Sequence, residues 1–122
     1  MPTAGQLRFV VLRHDGYGPT HFDLMFEMAP GSKLATWRAD HWPLLDNSRV
    51  TALSDHRADY LTYEGPLTNN RGSVTRITTG HHTILRSTNV ILQVEFQDGA
   101  TMTLPRAPAG LEGYARITAP RG

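Results

Sequence analysis

The chain has 122 residues, a formal net charge of +1 and no cysteine. That length makes one domain of ordinary size, able to bury roughly two thirds of its unfolded surface without covalent staples. The near-neutral balance excludes a strong uniform field for nucleic acid or membrane, and without thiolates any metal must be held by His, Asp, Glu or water.

Residues 1–6 read as a loose tail and 7–122 as the single domain. Residues 7–13 form an expected strand that ends at His14, and Gly16, Gly18 and Pro19 then break the chain. The next stretch alternates, with Phe22, Leu24, Phe26 and Met28 on one face and His21, Asp23, Met25 and Glu27 on the other. As a half-buried strand it turns its apolar face to a core and presents an imidazole and a carboxylate on the open face. A hairpin brings His14 back beside His21 and Asp23, and two imidazoles with a carboxylate from neighbouring strands suit a divalent metal. The same residues also read as a solvated strand face, with Asp15 capping the turn through its side chain.

Residues 29–32 are a turn and 34–38 a third strand, with Leu34, Thr36 and Arg38 opposite Ala35 and Trp37. Residues 39–51 are polar and irregular, interrupted at Pro43, and 50–53 form a short strand. Ser54 is a good N-cap for one helical turn reaching Tyr60, which places His56 and Tyr60 on one face, able to donate to one anion. Residues 61–65 are extended, 68–72 turn, 73–79 alternate as a strand, and Gly80 turns the chain into 82–86. Residues 90–96 form a strand, Asp98-Gly99 is a hairpin signal into 101–104, 105–110 loop, and 113–118 form a last edge strand. Short strands punctuated by Gly, Pro and Asn predict an all-β domain, a small barrel with short helical turns, with a sandwich as the competing architecture. No phosphate loop, nucleophile elbow, dinucleotide fingerprint, leader pattern or membrane-length apolar run is present, so a soluble cytoplasmic protein is expected. His41, His81 and His82 read as surface, and Trp37 and Trp42 as packing residues.

His14-Asp15, the run His21-Phe22-Asp23-Leu24-Met25-Phe26-Glu27, residues 34–37, Asp55-His56 with Tyr60, Tyr63-Glu64-Gly65 and Arg71-Gly72-Ser73-Val74 follow one another in a specific order. In that order and spacing they resemble the 3′-phosphoesterase domain of bacterial DNA ligase D, most closely its short stand-alone relatives. The resemblance covers residues 14–85. It implies a small β-barrel using a divalent metal, commonly manganese with zinc as the alternative. The implied activity is removal of a 3′-phosphate or 3′-ribonucleotide from DNA ends in repair or end joining. The implied partners are primer–template 3′ ends and a DNA ligase supplied by a separate chain.

Carried over by motif position, His14, His21 and Asp23 resemble the metal ligands, and His56 and Tyr60 the residues that hold the phosphate. His56 is then expected to hydrogen-bond the phosphate or protonate the leaving oxygen, and Tyr60 to orient the phosphate. Glu27 reads as an outer partner of a ligand histidine or as a solvated strand-end carboxylate. Ligase-attached members carry an arginine two residues after the metal-binding aspartate, where this chain has Met25. The interval from His14 to His21 is one residue longer than theirs, and their polar N-terminal segment is mostly missing. Arg38, Arg71 and Arg76 are the candidates to supply the phosphate's missing cation. Two other classes stay open: a non-catalytic module binding nucleic-acid ends or phosphate, and a small metal-binding barrel acting on an unrelated metabolite.

Overall fold

A computed structural model describes residues 6–106 and 108–120; the expected tail lies outside it but for Gln6. The strands are β1 (Leu7–Asp15), β2 (His21–Glu27), β3 (Leu34–Ala39), β4 (Ser48–His56), β5 (Gly65–Pro66), β6 (Ser73–Ser87), β7 (Ile91–Phe96), β8 (Thr101–Pro105) and β9 (Glu112–Thr118). One 3₁₀ turn, Ala58–Leu61, lies between β4 and β5. All pairings are antiparallel, in the order β1-β2-β3-β4-β9-β8-β7-β6-β5, and a further β1–β6 pairing closes the sheet on itself. The expected all-β, barrel-like architecture is therefore present, and closure leaves β1 no free edge.

Closure creates an inside and an outside. Val11, Leu24, Phe26, Trp37, Val50, Leu92, Val94, Met102, Leu104 and Ala115 form one core, with Ile77 and Ile84 of β6 packed on it, so every strand of the ring contributes to its interior. The alternate residues of β1–β3, Val10, Leu12, Met25 and Leu34, form a second core with Val74, Leu61, Tyr60 and Leu67. That second core lies on the outer face, beneath the connection of residues 57–72. β2 is consequently buried on both sides rather than half-buried, because this connection covers the face that its polar alternation leaves open.

Several local expectations are corrected. Gly80 does not turn the chain; β6 runs through it as one long strand. Gly80 pairs with Phe9, and a Cβ there would stand 3.0 Å from the Phe9 ring, so the glycine makes room for an aromatic that covers it. Residues 50–53 are the middle of the longer β4, and β9 is no edge strand, since it bridges β4 and β8 and completes the ring. Ser54 belongs to β4 and caps nothing; Arg57 precedes the 3₁₀ turn, without a side-chain capping bond. Asp98-Gly99 does turn β7 into β8, with Gly99 at φ 88° and its N–H donating to the Phe96 carbonyl at 2.9 Å. Trp37 is buried and Trp42 packs on the core, as expected.

His82 is the largest departure: it is 2% exposed, inside the ring, with its ring edge-on to Phe26 at 5.3 Å. It pairs with Leu7 and Phe96, which point inward with it. Its Nε2 donates to the Glu27 carbonyl at 2.9 Å, and its buried Nδ1 has no partner. Burial holds its pKa below the ordinary 6.5, outweighing the opposing effects of the Glu27 carbonyl and carboxylate. Below about pH 6.5 the unfolded chain therefore takes up a proton that folded His82 resists, so this contribution to stability is complete above that pH and lost below it. Urea unfolding at pH 7.5 and 5.5 should show this loss, and His82→Gln, which keeps a donor for the Glu27 carbonyl, should make it smaller. An equal loss in both proteins would contradict the assignment.

Candidate metal and phosphate site

The β1–β2 register sets His14 directly opposite His21 and Leu12 opposite Asp23, so both histidines and the aspartate share the outer face. All three are buried, at 8%, 6% and 5% exposure, which excludes a solvated strand face. His14 Nδ1 and His21 Nε2 lie 3.1 Å apart. Asp23 places Oδ2 3.7 Å from the first nitrogen and Oδ1 3.7 Å from the second. The three ligand atoms all lie within 4.8 Å of one another, the one such group among the described residues.

The remaining ring nitrogens decide the chemistry. His14 Nε2 faces the Arg71 carbonyl at 2.6 Å, and His21 Nδ1 faces the Pro19 carbonyl at 3.1 Å. A carbonyl only accepts, so both of these nitrogens carry the hydrogen. In the neutral rings the two facing nitrogens are then bare lone pairs, next to a carboxylate whose Oδ1 has no hydrogen-bond partner. Buried lone pairs converging in this way require a positive charge between them, a shared proton or a cation. Two nitrogens bound about 2.0–2.1 Å from one ion stand roughly 3.0–3.4 Å apart, so the spacing fits a shared metal. Backbone carbonyls that fix both tautomers are the usual outer partners of ligand histidines.

The loops are shaped to deliver those carbonyls. Gly72 has φ 81°, and a Cβ there would lie 1.9 Å from the Asp15 carbonyl oxygen. Only glycine lets the β5–β6 loop approach β1 closely enough to set the Arg71 carbonyl on His14. Asp15 accepts from Thr20 Oγ1 and Arg13 Nε, both at 2.8 Å, and these bonds hold its carboxyl below the usual range while tying the hairpin together. Tyr17, on the same hairpin, lies nearly parallel to His14 with ring centres 6.0 Å apart. Sequence reasoning missed Tyr17, because one aromatic in a glycine-rich loop carries no periodic signal.

His14 and Asp23 of the triad open onto a cavity of about 170 Å³ lined also by Met25, Arg38, His56, Tyr60 and Arg71. Arg38 stands directly across from Asp23 on β3, and its guanidinium has no polar partner among the described residues. Arg71 is steered by two 3.0 Å bonds from its guanidinium to Thr68. His56 and Tyr60 do meet, with ring centres 5.8 Å apart, although His56 comes from the end of β4 and Tyr60 from the 3₁₀ turn rather than from one helical face. His56 Nδ1 donates to the Ser54 carbonyl at 2.9 Å, which directs any second proton to Nε2.

Two candidates lie elsewhere. Arg76 faces Glu64 at 3.7 Å and does not line the cavity. Glu27 is buried at the opposite end of β2, where its carboxylate accepts from the Arg8 N–H at 3.0 Å and the Gly31 N–H at 2.9 Å. It is neither a solvated carboxylate nor the partner of a ligand histidine. His41 and His81 are exposed, as expected.

Compared with known proteins, the chain matches no family model and no curated sequence.

Titration with Mn²⁺ or Zn²⁺ should give one site per chain, weakened on the order of 10-fold or more in His21→Ala, as loss of a direct ligand requires. Gly72→Ala, which must displace the Arg71 carbonyl from His14, should also weaken the metal, by roughly 10- to 100-fold. Calorimetry showing wild-type affinity in His21→Ala would remove the triad as ligands.

Proposed function

We propose that this chain is a metal-dependent phosphoesterase that processes 3′ ends of DNA, removing a 3′-phosphate or 3′-ribonucleotide, with a DNA ligase on a separate chain as the consumer of the product. The observation that carries the reading is the buried His14–His21–Asp23 donor set, of which His14 and Asp23 line a cavity bordered by Arg38, Arg71, His56 and Tyr60. DNA as the substrate, and manganese as the preferred metal, come from the resemblance of the motifs to the ligase D phosphoesterase domain.

His14, His21 and Asp23 would hold the cation. Bound there, a divalent metal supplies Lewis-acid stabilisation of charge on a phosphate oxygen and an acidified water. Arg38 and Arg71 bind the remaining phosphate oxygens through charge-assisted bonds. The Tyr60 hydroxyl donates to the phosphate and fixes its orientation. His56 presents Nε2 to the leaving oxygen as a proton donor while the Ser54 carbonyl keeps the ring aimed. Arg38 takes over the work of the arginine that Met25 displaces: its Cα partner is Asp23, whereas Met25 pairs with Thr36 one step along the same face.

Met25 also favours a second reading, a module that binds phosphate-ended nucleic acid without turnover. The two are separated by incubating protein and Mn²⁺ with a primer–template bearing a 3′-phosphate or 3′-ribonucleotide. Release of product is expected, with Arg38→Ala and His56→Ala each lowering the rate by roughly 10²–10³, the usual effect of removing one preorganised charge contact. Arg76→Ala should leave the rate unchanged, and Met25→Arg should raise it where the new guanidinium reaches the phosphate. An inert wild type that still binds phosphate-ended DNA would establish the binding module instead.

A further inference from the structure

Beside the metal-site cavity lies a second, larger groove of about 310 Å³. The two share Tyr60, Leu67 and Arg71 as wall residues, so they adjoin. We infer that this groove is a nucleoside subsite, holding the unpaired nucleotide attached to the phosphate in the neighbouring cavity. The inference rests on the phosphoester reading above and adds to it the form of the end that is accepted.

The walls have the chemistry of a base-stacking site. Tyr60 and Tyr63 stand edge to face, with ring centres 6.4 Å apart at 86°. Tyr63 is 39% exposed, yet its hydroxyl donates to the Pro66 carbonyl, which holds the ring in place across the turn. Gly65, at φ 132°, keeps that turn open, since a Cβ there would stand 3.3 Å from Tyr63 Oη. An exposed aromatic already fixed by a hydrogen bond has little freedom left to lose when a base stacks on it.

The rim adds charge and polarity. Arg57 lines the groove, and its guanidinium has no polar partner among the described residues. Arg71 reaches both cavities from the strand of chain that also supplies the carbonyl on His14. The two guanidiniums complement a sugar–phosphate backbone, and the Asp59 carboxylate on the same wall can accept from an exocyclic amine. The volume sits at the small end of the roughly 300–1,000 Å³ of ligand pockets, sufficient for one nucleoside and far too small for a base pair within a duplex. A 3′ terminus must therefore enter frayed or as an overhang, with its last base splayed onto Tyr63. Stacking of this kind tolerates any base.

The test uses the full chain loaded with Mn²⁺ and compares a nucleotide analogue carrying an uncleavable 3′-methylenephosphonate with inorganic phosphate by calorimetry. Wild type should bind the nucleotide more tightly, by on the order of 10-fold, as loss of one stacked base implies. Tyr63→Ala should abolish the difference while leaving Mn²⁺ and inorganic phosphate affinities unchanged, which also shows that the variant is folded. Tyr63→Phe, which keeps the ring, should retain it. Equal affinity for both ligands in wild type, or a preference that survives in Tyr63→Ala, would overturn the subsite. Failure of Mn²⁺ and phosphate to bind at all would instead sink the phosphoester reading. The groove is then judged by the plain nucleoside: amide shifts centred on Tyr60 and Tyr63 support it, and no shifts refute it.

Discussion

Two imidazole lone pairs facing each other beside a buried carboxylate constrain this molecule more than any other feature. His14 and His21 are opposite residues of one hairpin, and their facing nitrogens stand 3.1 Å apart. Each ring is held there by a hydrogen bond from its far nitrogen to a backbone carbonyl. One of those carbonyls, Pro19, belongs to the hairpin itself. The other, Arg71, arrives from a loop far along the chain that reaches β1 only because residue 72 is glycine. The site therefore couples the hairpin to the β5–β6 loop. Removing the charge that the lone pairs require would leave a buried polar cluster uncompensated, which is costly in a low-dielectric surrounding.

That coupling explains why the chain builds two cores. The ring interior is filled by residues from every strand of the closed sheet and would support an ordinary barrel. The connection of residues 57–72 leaves the ring and folds back over β1, β2 and β3, seating Leu61, Tyr60 and Leu67 on the alternate set of side chains. The His14–His21–Asp23 triad continues that same set towards the end of the hairpin. Polar groups that would otherwise face water are thereby enclosed, and the covering segment itself contributes Tyr60 and Arg71. Arg38 from the sheet and Arg71 from the loop both line the cavity beside the triad.

Much of this was legible in the residues alone. The alternation from Phe22 to Met28 and the glycine-rich break after His14 are local signals, because strand period and turn chemistry depend on near neighbours only. They were sufficient for an all-β chain, for the hairpin, and for the convergence of His14, His21 and Asp23. The turn at Asp98-Gly99 and the packing of Trp37 were readable for the same reason.

The tertiary structure decided everything that depends on what covers a face. Polar residues alternating with apolar ones look alike whether water or a distant loop lies above them, so β2 read as half-open when it is enclosed. Gly80 read as a turn because its Phe9 partner is remote in sequence, and His82 read as surface because its apolar neighbours are equally remote. Closure by β1–β6, the place of β9 inside the ring and the separation of Arg38 from Arg76 are likewise matters of long-range pairing. Local pattern thus determined which residues form strands and which bring donors together. Only the fold, by burying the donors, orienting their carbonyl partners and choosing which arginines face them, determined what those donors can bind.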